Sequence, residues 1–355
     1  MAETALLLAR KAADLFAERA IEQPRLDAEL LLAHVLRLSR LQLYLQFDRP
    51  VEDDELATFR ALVRRRLRRE PVQYIVGSAH FRELELAVDA RVLIPRPETE
   101  ELVGHVLDWA WALVGGRPGK RLRAEPAEGA MGRWGDGATG EAATSVSASD
   151  AAAAGIAPAP GEPEVVAPHP PIAPSPLEVR RLVALDVGTG SGAIALSLLK
   201  EGPFERVVAT DMSADALEVA RGNATRLGLA DRVEFRLGSL WQAVAPDEVF
   251  DVVASNPPYV AEPERAALAP EVGEWEPAGA LFAGDAGLDV LRPLIGGAAA
   301  HLRAGGLLAL ELGATQAAAV RALIDATSAF EASRVERDLA GRERVALARR
   351  ISCAT

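Results

Sequence analysis

A glycine-rich turn follows an apolar, strand-like run near the middle of the chain. The run is Leu182–Leu185, and the turn reads Asp186-Val187-Gly188-Thr189-Gly190-Ser191-Gly192. Glycine has no Cβ, so its backbone can take a positive φ and approach a ligand closely at the start of a helix. The turn predicts a strand–turn–helix unit that holds a nucleotide-like ligand. Taken alone it also fits NAD, since Gly188, Gly190 and Ala193 match the dinucleotide pattern G-x-G-x-x-G/A.

An acidic residue, Asp211, ends the next apolar run, 207–210. It lies roughly twenty residues past the glycines, where a carboxylate can accept hydrogen bonds from ribose hydroxyls. Two alternatives stay open at this point. The glycines could form a tight strand-to-helix turn without a ligand, and Asp211 could be the N-terminal acid of the helix after Ser213.

The segment Ser255-Asn256-Pro257-Pro258-Tyr259 follows a further apolar run, Phe250–Ala254. Asn256 offers an amide oxygen as acceptor, Pro257 has no N–H and a fixed φ, and Tyr259 can wall a slot for a flat group. An amide nitrogen is a poor nucleophile, so it must be oriented by acceptors that draw its N–H groups. With the glycine turn, this segment indicates methyl transfer to a planar, nitrogen-bearing group. An Asn-Pro turn without a catalytic role is the alternative.

Strands and helices are predicted to alternate from Arg181 onwards. Strands are expected near 182–186, 206–210, 232–236, 250–254 and 306–311, helices near 191–200, 213–227, 289–303 and 315–326, and a closing hairpin over 330–337 and 344–350. Such alternation predicts a parallel sheet with helices on both faces, and ligands then bind at the carboxyl ends of the strands. Asp186, Asp211, Asn256 and the segment Ser239–Trp241 would therefore line one rim.

The chain is predicted to divide into three parts. Residues 1–75 have the apolar spacing of a small helical bundle, with caps at Ser39 and Asp53. Residues 76–98 form a β-hairpin linker with its turn at Asp89-Ala90. Residues 99–355 form the catalytic domain, which opens with a helix over about 99–114. A Gly-, Ala- and Pro-rich segment, about 115–178, interrupts that domain and is expected to be a disordered insertion.

Composition restricts the class of protein. The net charge of −12 disfavours broad binding to phosphate backbones, and one cysteine, Cys353, excludes an intramolecular disulfide. Without a membrane-length apolar run or a signal peptide, we expect a cytoplasmic protein. A basic run, Arg64–Arg69, is interpreted as a solvated helix face or as a contact for an acidic or RNA-associated partner.

Several segments together resemble the release-factor glutamine methyltransferases (the PrmC or HemK family). They are Pro71–Gly77, Leu93-Ile94-Pro95-Arg96-Pro97-Glu98-Thr99-Glu100, Asn256–Tyr259, Glu274–Pro277 and Gly341–Val345. The resemblance covers nearly the whole chain outside the insertion. It implies a class I methyltransferase fold, which is an α/β, Rossmann-like sheet of seven strands with an antiparallel last strand, preceded by a helical bundle.

The resemblance also implies roles for individual residues. The cofactor would be S-adenosylmethionine, with Asp186, Gly188, Thr189, Gly190, Ser191 and Gly192 around its methionine part, Asp211 at the ribose and Trp241 beside the adenine. Asn256 would contact cofactor and substrate glutamine, and Pro257, Pro258 and Tyr259 would complete the catalytic pocket. Leu240 stands where many relatives carry an acid, so a side-chain contact to adenine N6 is not expected there. Arg96 and Glu98 would shape the cofactor side or form salt bridges.

The function implied is transfer of a methyl group to the side-chain nitrogen (N5) of the glutamine in the Gly-Gly-Gln motif of class-1 peptide-chain release factors. That reaction supports translation termination. The expected partners are those release factors, with no metal, membrane or direct nucleic-acid substrate. Two alternatives stay open. One is an N6-adenine methyltransferase of nucleic acid, which uses the same Asn-Pro-Pro-Tyr logic but needs base flipping. The other is a non-catalytic cofactor-binding protein.

Overall fold

The computed structural model describes residues 3–117 and 181–352 of the 355-residue chain. The predicted disordered insertion falls almost wholly outside the described residues, as does Cys353. Among the described residues, 3–116 and 181–352 belong to one compact unit, which contains the helical bundle and the sheet together.

The first part of the chain is a bundle of short helices: α1 (Ala5–Glu18), α2 (Pro24–Leu36), α3 (Arg40–Leu45), α4 (Asp53–Leu67) and α5 (Val72–Val76). Their apolar faces meet in one core around Phe16, Leu31 and Phe59. Ser39 caps α3 as predicted, with its hydroxyl accepting from the Gln42 N–H at 3.2 Å. The N-cap of α4 is Glu52 and not Asp53, so that predicted cap was wrong by one residue.

A two-stranded hairpin follows the bundle. Strands β1 (Ser78–Phe81) and β2 (Leu84–Ala87) are antiparallel, so the turn lies at Arg82 and Glu83. A turn does lie at Asp89-Ala90, where the Val92 N–H donates to the Asp89 carbonyl at 3.1 Å, but the prediction that it is the turn of the hairpin was wrong. Arg82 takes a φ of 51°, a conformation that a local pattern does not predict for arginine. Distant contacts hold it there: its backbone N–H donates to Glu100 at 2.9 Å, and its guanidinium pairs with Glu201.

Helix α6 (Pro97–Leu113) leads to a sheet of seven strands in the order β5-β4-β3-β6-β7-β9-β8. Its strands are β3 (Leu182–Val187), β4 (Phe204–Asp211), β5 (Val233–Leu237), β6 (Phe250–Ser255), β7 (Leu302–Glu311), β8 (Arg334–Arg337) and β9 (Glu343–Arg349), and the helices between them are α7 (Ala193–Glu201), α8 (Ala214–Arg226), α9 (Pro270–Gly273), α10 (Leu291–Ala298) and α11 (Ala317–Ala326). Strands β3 to β7 pair in parallel, whereas β9 is antiparallel to both its neighbours. The predicted α/β fold, with its seven strands and antiparallel last strand, is confirmed.

Helices cover both faces of this sheet. Alternate side chains of β3 point to opposite faces. Leu182 and Ala184 pack with α6 and α7, and Leu185 and Val187 pack with α10 and α11. Both faces of the central strands are thus buried. The polar side chains that could take part in a reaction therefore lie at the carboxyl ends of β3, β4, β6 and β7, which meet along one edge of the sheet.

Candidate active site

A cavity of about 660 Å³ opens at this edge of the sheet. Its walls are the segments that follow β3, β4, β5 and β6, together with Val92, Pro95 and Thr99 from the linker and α6, Pro277 and Ala280, and Asp289. The volume is that of a typical small-molecule site, roughly 300–1,000 Å³. Four separate strand ends therefore supply one site, as the predicted topology requires.

The glycine turn after β3 leaves room for a ligand. Gly188 and Gly190 line the cavity with φ of 75° and 55°, and the N–H groups of Gly188 and Thr189 donate to the Thr210 carbonyl at 2.8 and 2.9 Å. A Cβ added at Gly188 or Gly190 would meet no atom of the non-neighbouring described residues within 4 Å. This space suits close approach of a nucleotide-like cofactor to the backbone.

Asp186 and Gly192 support the turn from behind and do not line the cavity. Asp186 is fully buried, and its Oδ2 accepts from the Thr189 hydroxyl at 2.6 Å and the Ala195 N–H at 3.1 Å. Burial raises the pKa of Asp186 to about 7, against the opposing effect of these hydrogen bonds. A Cβ on Gly192 would come 3.0 Å from Leu196, so this glycine serves helix packing.

Asp211 lines the cavity and organises two neighbouring segments. One carboxylate oxygen accepts from the Gly190 N–H and the other from the Ser213 N–H, each at 2.9 Å. Both roles considered from the sequence are thus compatible, since Asp211 precedes α8 and faces the cavity as well. A carboxylate has about four acceptor positions, so it can still accept from ribose hydroxyls.

Asp211→Ala is expected to weaken S-adenosylmethionine binding by about 1–3 kcal/mol, because charge-assisted hydrogen bonds to the ribose and to the Gly190 N–H are lost. Isothermal calorimetry measures the change. Asp215→Ala removes an exposed carboxylate four residues away and is the matched control. Equal affinities of the two variants would remove Asp211 from the ribose role.

Trp241 is not among the residues that line the cavity. Its Nε1 donates to the Pro293 carbonyl at 3.0 Å, its ring stacks on His301 at 4.9 Å, and a Cβ on Gly297 would collide with it. Leu240, with a φ of 50°, faces the cavity instead. A place for Trp241 beside adenine stays a prediction.

Asn256, Pro257 and Pro258 line the cavity, whereas Tyr259 lies behind them. Asn256 Nδ2 donates to Thr99 Oγ1 at 2.9 Å. The Tyr259 hydroxyl donates to Glu311 Oε1 at 3.1 Å, and burial raises the pKa of that hydroxyl, so it stays protonated at neutral pH. Tyr259 thus supports the slot through its hydroxyl.

The backbone of Tyr259 is fixed as well. Gln316, nearly buried, donates from Nε2 to the Tyr259 carbonyl at 2.9 Å and to the Gly287 carbonyl at 3.1 Å. Gly287 has a φ of 66°, and a Cβ there would collide with the Tyr259 carbonyl. The close approach of this glycine lets the segment after β6 sit against the loop before α10.

Sequence reasoning assigned no role to Thr99, although it belongs to the segment Leu93–Glu100 that carries the family resemblance, and it did not point to Glu311 at all. Thr99 lies in the first turn of α6 and lines the cavity, and its hydroxyl donates to Glu311 Oε2 at 2.6 Å. Glu311 is fully buried at the end of β7. Burial raises the pKa of Glu311 to about 7, with the hydrogen bonds from Thr99 and Tyr259 opposing the shift. An acid that ends an apolar strand was the available signal, the one that identified Asp211.

Glu311→Gln is expected to flatten the pH dependence of stability. Between pH 4.5 and about 7 the folded protein holds a proton on Glu311 that the unfolded chain has released, so this group lowers the free energy of unfolding as pH rises. In the variant, position 311 carries no titratable group. The decrease in the free energy of unfolding between pH 4.5 and about 7 should therefore be smaller by up to about 3 kcal/mol. Asp186 and Glu276, with pKa values also raised to about 7, titrate in both proteins. Urea unfolding across this range measures the difference, and equal slopes would contradict the raised pKa.

Arg96 and Glu98 form salt bridges and do not line the cavity. Arg96 pairs with the buried Glu276 at 2.5 Å, and Glu98 pairs with Arg342 at 2.9 Å. The salt-bridge alternative for these two residues is the one that the contacts favour.

The basic run, Arg64–Arg69, connects the helical bundle to the catalytic part of the chain and is not simply a solvated helix face. Arg66 is buried, and it donates to Asp27 at 2.7 Å and to Glu271 at 2.8 Å. Arg69 also pairs with Glu271, at 2.6 Å. The solvated-face interpretation was therefore wrong for Arg66, although Arg64 and Arg68 are exposed. The bundle is tied through this run to the segment that follows Asn256.

Two further features concern metal ions and membranes. Within 3–117 and 181–352, no group of three or more His, Cys, Asp or Glu side chains could hold a metal ion. Across the same ranges, no helix has the length and apolar character needed to cross a membrane.

Comparison with known proteins identifies the family. Residues 8–77 match the PrmC N-terminal domain, and residues 184–275 match a methyltransferase domain. A release factor glutamine methyltransferase of Chlorobaculum tepidum is 39% identical over 88% of this chain and 87% of its own length. The enzyme of Rhodopirellula baltica is 33% identical over 96% of this chain and 95% of its own length. That of Cereibacter sphaeroides is 36% identical over 96% of this chain and 96% of its own length. The chain therefore belongs to the release factor glutamine methyltransferase family.

Proposed function

We propose that this protein transfers a methyl group from S-adenosylmethionine to the side-chain nitrogen (N5) of the glutamine in the Gly-Gly-Gln motif of class-1 release factors. The observation that carries the proposal is the side-chain amide of Asn256, held by Thr99 in the same cavity as the glycine turn. Family membership supports the substrate class.

The chemistry follows from the weakness of an amide nucleophile. S-adenosylmethionine, when bound, supplies an electrophilic methyl carbon. Asn256 Oδ1 accepts one N–H of the substrate amide, and the Pro257 carbonyl accepts the other, because Pro257, with a fixed φ and no N–H, turns the chain out of the strand ladder. These acceptors orient the nitrogen lone pair towards the methyl carbon. As the nitrogen–methyl bond forms, the methyl–sulfur bond breaks and its electron pair leaves with S-adenosylhomocysteine, while the proton that the methyl group replaces passes to solvent. Positioning of this kind lowers the barrier because the reacting atoms are held in line.

The cofactor is proposed to lie along the glycine turn. Gly188, Thr189, Gly190 and Ser191 border its methionine part, and Asp211 accepts from the ribose. Leu240 and Met212, the latter 71% exposed, supply an apolar wall for the adenine. Asp186 and Gly192 act indirectly, by holding the turn in shape.

The protein substrate requires surface outside the slot. We assign docking to the helical domain, residues 1–75, and to the linker, residues 76–98, with the catalytic domain over 99–355. The Arg66–Glu271 contact supports this assignment, because it ties the bundle to a segment whose continuation lines the cavity with Pro277, Gly279 and Ala280.

Methyl transfer assays with labelled cofactor test the proposal. Intact release factor should accept label efficiently, a free Gly-Gly-Gln peptide far less so, and a release factor with that glutamine replaced by alanine should accept none. The peptide should differ mainly in KM, since remote docking contributes uniform binding. Label on adenine of DNA or RNA, with affinity that falls steeply as salt rises, would contradict the proposal.

A further inference from the structure

A chain of hydrogen bonds links three elements behind the catalytic slot. Asn256 follows β6, Thr99 lies in the first turn of α6, and Glu311 ends β7. Asn256 Nδ2 donates to Thr99 Oγ1 at 2.9 Å, and Thr99 Oγ1 donates to Glu311 Oε2 at 2.6 Å. Thr99 and Glu311 are both buried, so water does not compete for the bond between them, whereas Asn256 is partly exposed where it lines the cavity.

The direction of these bonds follows from the ionised state of Glu311, which prevails above its raised pKa of about 7. An ionised carboxylate only accepts, so the single hydroxyl hydrogen of Thr99 is then committed to Glu311. The Thr99 oxygen can then only accept, and it must face the NH₂ end of Asn256. With the amide reversed, two acceptors would face each other, or Glu311 Oε2 would lose its donor.

Tyr259 also holds the Glu311 carboxylate in place, through the oxygen that Thr99 does not contact. Its hydroxyl donates to Glu311 Oε1 at 3.1 Å, so each carboxylate oxygen has one donor. Glu311 consequently cannot rotate to take a bond from elsewhere without leaving Thr99 or Tyr259 unpaired.

We propose that Thr99 and Glu311 are positioning residues that fix the amide of Asn256 with its oxygen towards the substrate. This proposal rests on the catalytic role of Asn256 in the proposed function. Although Thr99 also lines the cavity, in this role Thr99 and Glu311 act through Asn256 and contact neither the methyl group nor the substrate nitrogen. Their removal should lower kcat and leave cofactor binding nearly intact.

Steady-state kinetics of Thr99→Val test the proposal, since valine keeps the shape and removes the hydroxyl. We expect kcat to fall roughly 100-fold, as for a misplaced catalytic group, with cofactor KM changed less than about twofold. Thr99→Ser should restore most of kcat. In an Asn256→Ala background Thr99→Val should have no further effect. Unchanged kcat in Thr99→Val, or no rescue by serine, would overturn the proposal.

Two controls separate hydroxyl loss from positioning. Ser197→Ala removes a buried hydroxyl that has no hydrogen-bond partner among the described residues, and Thr225→Val repeats the same change on the exposed face of α8. Both should keep wild-type kcat.

A second measurement needs no substrate. In ¹⁵N-labelled protein, the side-chain amide pair missing from the Asn256→Ala spectrum identifies Asn256. Thr99→Val and Glu311→Gln should shift this pair and speed its hydrogen exchange. A pair that stays unmoved in both variants overturns the positioning role, whereas absence of methyl on release factor with wild-type protein contradicts only the proposed function.

Discussion

Replacing Asn256 by alanine is expected to lower kcat by roughly 100- to 1,000-fold, the usual cost of removing one preorganised polar group that acts in the transition state. The amide oxygen that orients the substrate nitrogen is lost, while the glycine turn and Asp211 remain. Cofactor affinity should change little, because Asp211 keeps its bonds to the Gly190 and Ser213 N–H groups. Single-turnover methyl transfer and calorimetry on the same preparation measure both quantities.

Gln242→Ala is the matched control for this change, since it removes an exposed amide outside the cavity lining. It should behave as wild type in both measurements. Thr99 keeps its bond to Glu311 in Asn256→Ala, so the fold should survive. Turnover like that of the wild type would remove Asn256 from catalysis.

Arg66→Ala should cause the largest loss of stability, about 3–5 kcal/mol, because removing one member of a buried ion-pair group leaves uncompensated charge. Arg66 is 5% exposed and holds Asp27 and Glu271 together. Burial already raises the pKa of Asp27, with Arg66 opposing the shift. Among the described residues, Arg66 is the cation seen in contact with Asp27, so the variant removes the positive charge that opposes the Asp27 carboxylate. Urea unfolding monitored by circular dichroism measures the change.

The basic run itself supplies the control. Arg64→Ala removes an exposed arginine from the same helix and should stay within about 0.5 kcal/mol of wild type. Arg66→Lys should lie between the two, because an ammonium cannot reproduce the planar fork that reaches both carboxylates. If Arg64→Ala and Arg66→Ala were equally stable, the ion pairs of Arg66 with Asp27 and Glu271 would not contribute to stability.

Much of the fold follows from local pattern. Apolar runs that end in Asp186, Asp211 and Asn256 predicted three neighbouring strand ends, because parallel strands bring their carboxyl ends to one edge. The glycine turn was predictable for a similar reason: backbone freedom at Gly188 and Gly190 is a local property.

What could not be predicted depends on distant partners. Thr99 and Glu311 are 212 residues apart in sequence, and Arg66 and Glu271 are 205 apart. No periodicity relates such pairs. The hairpin turn at Arg82 was missed because Glu100 and Glu201 hold a conformation that arginine seldom takes. Trp241 shows a limit of a different kind, since an aromatic after a strand can face the cavity or the core.

Methylation of a glutamine side chain of a folded release factor at the Asn256 slot can be measured by tandem mass spectrometry of a class-1 release factor incubated with this protein and isotope-labelled S-adenosylmethionine. We expect one labelled methyl group on the glutamine of the Gly-Gly-Gln motif, and none when Asn256→Ala replaces the wild type. An unmodified glutamine, or label at another residue or on adenine of added nucleic acid, would contradict the proposed function.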